Sequence, residues 1–167
     1  MLRALVDERE IFPLGATAFA VTPALREAYA AGDDDELAEV AMQEAARASL
    51  RLLAAERDGD AEPDAEAAEP GSPIYRRAVI AADVTGAKLR PDLDDAVVKL
   101  AGPVSFNQVA SVHVDLAEAE PQVAKAVDVI DAADLGDPDA EFVLGDAEDH
   151  QLAWYATQEL SFLLDLL

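Results

Sequence analysis

The chain has 167 residues, 51% of them hydrophobic, and a formal net charge of -23 from 35 Asp and Glu against 12 Lys and Arg. That length suits one domain with a sizeable core, and the hydrophobic fraction excludes a disordered acidic chain. The scarcity of Lys and Arg excludes ordinary binding to a phosphate backbone and attachment to an anionic membrane surface.

Residues 2–10 read as a short helix with Leu2, Leu5 and Val6 on one face and no capping residue before it. Thr17 to Val21 is a short strand, too apolar to have a wet face. Thr22-Pro23 opens a second helix, Thr as N-cap and Pro at the first position, which Gly32 ends. Asp33, Asp34, Asp35 and Glu36 then cap free amides and complement the dipole of a long helix running to about Glu56. Its stripe is Leu37, Ala41, Ala48, Leu52 and Ala55, small enough for close packing. Residues 57–73 are acidic, proline-broken and of low complexity, and are expected to form a mobile loop.

Beyond the loop the pattern turns to strands, at Arg77–Val84, Ala96–Leu100 and Val109–Val114, with one helical turn over 105–108. In the third strand Ala110, Val112 and Val114 share one face, Ser111 and His113 the other. A helix comes next from near Pro121, with Val123, Val127 and Ile130 at helical spacing, and stops before Gly136. Residues 141–144 read as a short extended piece. A last helix starts after Asp146, where Asp146 and Asp149 form a variant of the capping box. The strands of the second half are not separated by helices, which argues against a doubly wound parallel sheet. The expected fold is one α+β domain over residues 1–167, with a mixed or antiparallel sheet of about four strands covered by helices.

The chain has no Cys, so disulfides, thiolate nucleophiles and Cys zinc sites are excluded. No apolar run approaches the roughly 20 residues of a membrane helix, and the start lacks the apolar centre of a signal peptide. A cytoplasmic protein without cofactors is expected. The acidity has a plain explanation in solubility, since Asp, Ala and Arg over Ser and Lys is the usage of a GC-rich genome or a salt-adapted proteome.

Two constellations stand out. His113 and Asp115 point the same way from a strand, and with Glu148 and His150 could supply a metal's ligands. Against that, Asp115 ends a strand and suits a cap. Asp149 and His150 suggest a base, but Thr157 and Ser161 lie too far along one helix to serve as its nucleophile. No Gly-x-Ser-x-Gly elbow and no Gly-rich phosphate loop is present.

In the last helix Leu152, Ala153, Ala156, Leu160, Leu163 and Leu164 form the core side. His150, Trp154, Thr157, Gln158 and Ser161 lie opposite, and Trp154 is the only Trp in the chain. An aromatic on a polar stripe is either covered by another part of the fold or offered to a partner.

Several stretches carry a family resemblance. They are Thr17–Arg26, Ala46–Leu53, Val79–Val84, Val112-His-Val-Asp115, Asp131–Asp137 and Glu148–Leu160. Together they resemble an uncharacterised family of small acidic proteins from high-GC Gram-positive bacteria, over nearly the whole chain. The resemblance implies a cytoplasmic protein with no assigned activity and no catalytic residues to carry over. It also implies a short strand before the first helix, which this chain lacks. A shortened or misassigned start would leave a sheet edge open to pairing with a second copy in a homodimer.

The leading reading is a non-enzymatic binding or regulatory protein that meets a protein partner through the C-terminal helix. One alternative is a small metal-assisted hydrolase built on His113, Asp115 and His150. Another is an acidic nucleic-acid mimic that occupies a basic groove.

Overall fold

A computed structural model describes residues 1–59 and 74–167, so residues 60–73 of the acidic loop lie outside the described residues. The elements run α1 (Leu2–Asp7), β1 (Glu10–Ile11), β2 (Thr17–Phe19), α2 (Pro23–Ala28), α3 (Asp34–Asp58), β3 (Ala78–Ala82), β4 (Lys88–Leu89) and β5 (Val97–Lys99). They continue β6 (Val104–Ser105), β7 (Val109–Val114), α4 (Glu120–Asp134), α5 (Pro138–Glu148), β8 (Ala153–Ala156) and α6 (Leu160–Leu166). The class is α+β, as the sequence predicts. The strands form three small antiparallel sheets, ordered β1-β6, β2-β5-β4 and β3-β7-β8, rather than one of four strands.

Two compact units divide the chain. The first comprises Met1–Ala45, Val79–His113 and Trp154–Leu167. In it α1 buries Leu5 and packs on α6, which buries Leu160 and Leu163. β2 pairs antiparallel with β5, Phe19 opposite Val97 and Thr17 opposite Lys99. The start of α2 obeys the residues that encode it. Thr22 Oγ1 accepts from the Leu25 amide at 3.1 Å, and Pro23 needs no donor in the first turn. The helix ends at Ala28 rather than Gly32. Asp33 opens α3 as read: its Oδ1 accepts from the amides of Asp35 and Glu36, while Glu36 Oε2 takes the Asp33 amide, a reciprocal capping box. Leu25, Leu37 and Ala96 form a small core that Phe19, Val21 and Val40 cover.

The second unit comprises Ala46–Ala78 and Val114–Ala153. Its core joins Leu50 and Ala54 of α3 to Val123, Ala126, Val127, Ile130 and Ala133 of α4 and Ala140, Leu144 and Ala147 of α5. The α3 face buried here is set by Ala46, Leu50 and Ala54, displaced around the helix from the expected Ala48, Leu52 and Ala55. Small side chains on all three helices permit close approach, in keeping with the alanine content of α3.

Residues 141–144 are not extended. They lie inside α5, which starts at Asp137, whose Oδ1 accepts from the amides of Asp139 and Ala140, and Pro138, just as α2 starts at Thr22-Pro23. The single helix expected after Asp146, carrying Leu152 through Leu164 on its core side, does not form either. α5 ends at Glu148, β8 occupies 153–156, a 3-10 turn covers 157–159, and α6 begins at Leu160. Trp154 and Tyr155 favour an extended backbone, and β8 finds a strand to pair with in β7.

Leu144 is fully buried, whereas Phe142, two residues earlier on α5, is 74% exposed. Leu144→Ala is therefore expected to lower unfolding free energy by about 2–5 kcal/mol, and Phe142→Ala by under about 0.5 kcal/mol. Urea denaturation of the two variants checks the orientation of α5, and equal losses would show it wrong.

Candidate functional site

The residues singled out in the sequence fall into three places. The first is a buried ion pair. Arg77, immediately before β3, and Asp115, immediately after β7, have side chains only 3% and 0% exposed. Arg77 donates from Nε to Asp115 Oδ2 at 2.9 Å and from Nη2 to Oδ1 at 2.8 Å. Its backbone amide adds a third bond to Oδ2 at 2.8 Å, and the Asp115 amide returns one to the Arg77 carbonyl at 3.0 Å. Arg77 Nη2 also donates to the His150 carbonyl at 2.7 Å. A planar guanidinium meets a carboxylate with two parallel bonds, the geometry that best offsets the desolvation of both charges.

This pair changes the meaning of the expected ligand set His113, Asp115, Glu148 and His150. Both Asp115 oxygens are taken by Arg77, so the carboxylate holds the chain together. His150 contributes its carbonyl to the same cluster. Among the described residues no group of three or more His, Asp or Glu is arranged to hold a metal ion.

The second place is the face of β7 that carries Ser111 and His113. The side chains stand two residues apart, Ser111 Oγ 3.0 Å from His113 Nε2. Ser111 is buried and His113 half-buried. Burial lowers the His113 pKa from its ordinary value, because an apolar setting disfavours the imidazolium. The neutral ring is thus the resident form at neutral pH, able to exchange a hydrogen bond with the hydroxyl. The strand periodicity places the two residues on one face but does not reveal that they touch.

The third place is β8 with the turn and helix after it. The expected stripe of His150, Trp154, Thr157, Gln158 and Ser161 does not exist as a helix face. His150 precedes β8, Trp154 lies in it, Thr157 and Gln158 are in the 3-10 turn, and Ser161 is in α6. Thr157 is buried, and its hydroxyl donates to the Val109 carbonyl at 3.0 Å, fixing the turn to the start of β7. Trp154 is 61% exposed. Since the sheet order is β3-β7-β8, Trp154 sits on an edge strand. The Ala156 amide donates to Glu159 Oε2 at 2.8 Å, a side-chain partner rather than a ladder bond. Main-chain groups alternate in direction along a strand, so the amide and carbonyl of Trp154 point the same way, to the outer edge.

A further feature has no signal in the sequence. A cleft of about 300 Å³ is lined by Thr22, Pro23, Glu27, Leu89, Arg90 and Asp95. Its walls come from α2, β4 and the turn before β5, which only the fold brings together. The Arg90 guanidinium is already held by Asp92 at 2.6–2.7 Å.

A family model described as a family of unknown function, DUF6912, matches residues 1–164. The chain belongs to the DUF6912 family. No curated protein and no solved structure matches it. Membership therefore brings no activity and no site residues. No helix among the described residues is long and apolar enough to cross a membrane.

Asp115→Ala strands a buried guanidinium and is expected to cost about 3–5 kcal/mol, while the double variant Arg77→Met, Asp115→Leu costs less than either single change. A double-mutant cycle by urea denaturation checks this, and additive losses would show the pair uncoupled. For His113 the folded pKa lies below the unfolded value near 6.5, so the unfolded state binds more protons just below that pH. Stability should rise with pH up to about 6.5 and level off above it, and His113→Gln should flatten that rise. Thermal denaturation from pH 5 to 8 measures it.

Proposed function

We propose that this member of the DUF6912 family is a non-enzymatic binding protein that meets a protein partner through the surface around Trp154. The observation that carries the reading is the exposure of the chain's single Trp on an edge strand. A large, rigid aromatic left in water costs solubility unless something covers it, and Trp is the residue most enriched among interface anchors.

The charge supports a partner rather than a polyanion. Many of the arginines are engaged within the chain. Arg47 and Arg51 hold Asp134, Arg47 also holds Glu141, Arg57 holds Asp58 and Asp128, and Arg76 holds Glu120. Arginines tied into carboxylates do not form the basic stripe that tracks phosphates. The carboxylates left over favour a partner of opposite charge and steer its approach.

The sequence points to the C-terminal helix as the surface. The proposal rests instead on β8, because the helix starts only at Leu160. The test is site-specific photocrosslinking in living cells with p-benzoylphenylalanine in place of Trp154, and in place of Asp92 as a control. The expected result is a discrete adduct with a protein bearing a basic segment, formed at position 154 and absent at 92. Identical patterns at the two positions, or none at 154, would overturn the reading.

A further inference from the structure

We infer that the outer edge of β8 accepts an extended, basic segment of a partner protein as an added antiparallel or parallel strand, an inference that rests on the protein-binding reading above.

Three observations meet at one place. The first is backbone. β8 is the terminal strand of the β3-β7-β8 sheet, and because the Ala156 amide is spent on Glu159, strand alternation sets the amide and carbonyl of Trp154 on the outer edge. A main-chain donor and acceptor from one residue match one residue of an incoming strand. The Ala156 amide is taken by Glu159, so the ladder has a defined stop. The accepting stretch is therefore short, centred on Trp154, and main-chain bonds alone give modest affinity.

The second observation is the side chain. Trp154 is 61% exposed. A Lys or Arg on the added strand can lay its charge over the indole face, the strongest of the side-chain cation–π pairings. The chain already uses this contact internally. The Arg9 guanidinium lies 3.5 Å from the Phe106 ring centroid.

The third is charge. Glu159 is exposed and uses one carboxylate oxygen on the Ala156 amide, which leaves the other for a cation. Asp165 lies exposed on α6. With a net charge of -23, an acidic or neutral strand gains little here, and a second copy of this chain brings the same charge to the encounter. Alternation of apolar and basic residues is the pattern that offers backbone to β8 and a cation to Trp154 at once.

The experiment titrates the full chain with a fluorescein-labelled peptide of five Val-Lys repeats, read by anisotropy. The unlabelled peptide is followed by Trp154 emission and by hydrogen exchange of the Trp154 amide. Because Trp154 is the only Trp, emission reports on this position alone. The expected result is saturable binding, a blue shift, and slowed exchange of the Trp154 amide. Trp154→Ala should weaken binding at least tenfold with its circular dichroism unchanged. So should N-methylation of two consecutive central residues, which blocks both edges of the peptide. Equal binding by the methylated peptide, or binding with no protection of the Trp154 amide, would overturn strand addition while leaving a protein-binding surface intact. No binding at low salt would overturn the assigned partner chemistry. A crosslinked partner at position 154 that lacks a basic extended segment would do the same.

Discussion

The Arg77–Asp115 pair is the constraint on which the chemistry of this chain turns. Two charges with almost no solvent contact are held by two side-chain bonds, flanked by a bond from the Arg77 amide to Asp115 Oδ2 and one from the Asp115 amide to the Arg77 carbonyl. Removing either partner leaves a bare buried charge, whereas removing both removes the desolvation penalty too. The pair therefore specifies an arrangement more than it stabilises one. It fixes where the chain enters β3, where it leaves β7, and where the His150 carbonyl lies ahead of β8. A carboxylate in that role has both oxygens engaged by Arg77, so Asp115 acts first as a structural tie between the two strand ends.

The same economy runs through the second unit. With so few cations, arginines there work as staples between elements. Arg47 and Arg51 of α3 reach Asp134 at the end of α4, and Arg47 continues to Glu141 of α5. The Asp134 carboxyl is held below its ordinary pKa by the hydrogen bond from Arg51, then by the remaining charge of both arginines. These pairs are partly exposed, and each contributes little alone. Their value lies in the Arg47 guanidinium, which ties α3 to one carboxylate on α4 and another on α5 where the surrounding surface would otherwise repel itself.

Local signals carried most of what was legible. Thr22-Pro23 and the Asp33–Glu36 cluster encode helix starts in consecutive residues, and both act as read. Val109–Val114 declares itself as a strand by its valines at 109, 112 and 114. The failures share a physical cause. Leu152, Ala153, Ala156 and Leu160 fit helical spacing, yet that stretch is a strand and a turn because β7, some forty residues earlier in the chain, offers it a ladder. Thr157 and Val109 meet across a separation of 48 residues. No window along the sequence contains that contact. α5 escapes detection for a different reason: Asp137-Pro138 repeats the Thr22-Pro23 start, but Phe142 faces water where an apolar stripe would place it inside. Of the candidate site, Trp154 was legible as an anomaly. Its setting, an edge strand with outward main-chain groups, was not.

An exposed aromatic on an unpaired strand edge is an aggregation hazard, and natural proteins cover or charge such edges. Here Trp154 is left bare on a four-residue strand, which the Glu159 cap limits at one end. The short length keeps the edge from templating long ladders. The net charge handles the rest, because two copies approaching each other carry the same sign, and the repulsion is felt within about 8 Å at physiological ionic strength. A basic segment feels the reverse. On the proposed reading, one property discriminates between the two commonest occupants of a strand edge, disfavouring a second copy and favouring an oppositely charged partner. Solubility alone explains acidity anywhere on the surface. It does not explain why the chain's one Trp is placed where the backbone is open, and that coincidence ties the acidic composition to the edge of β8.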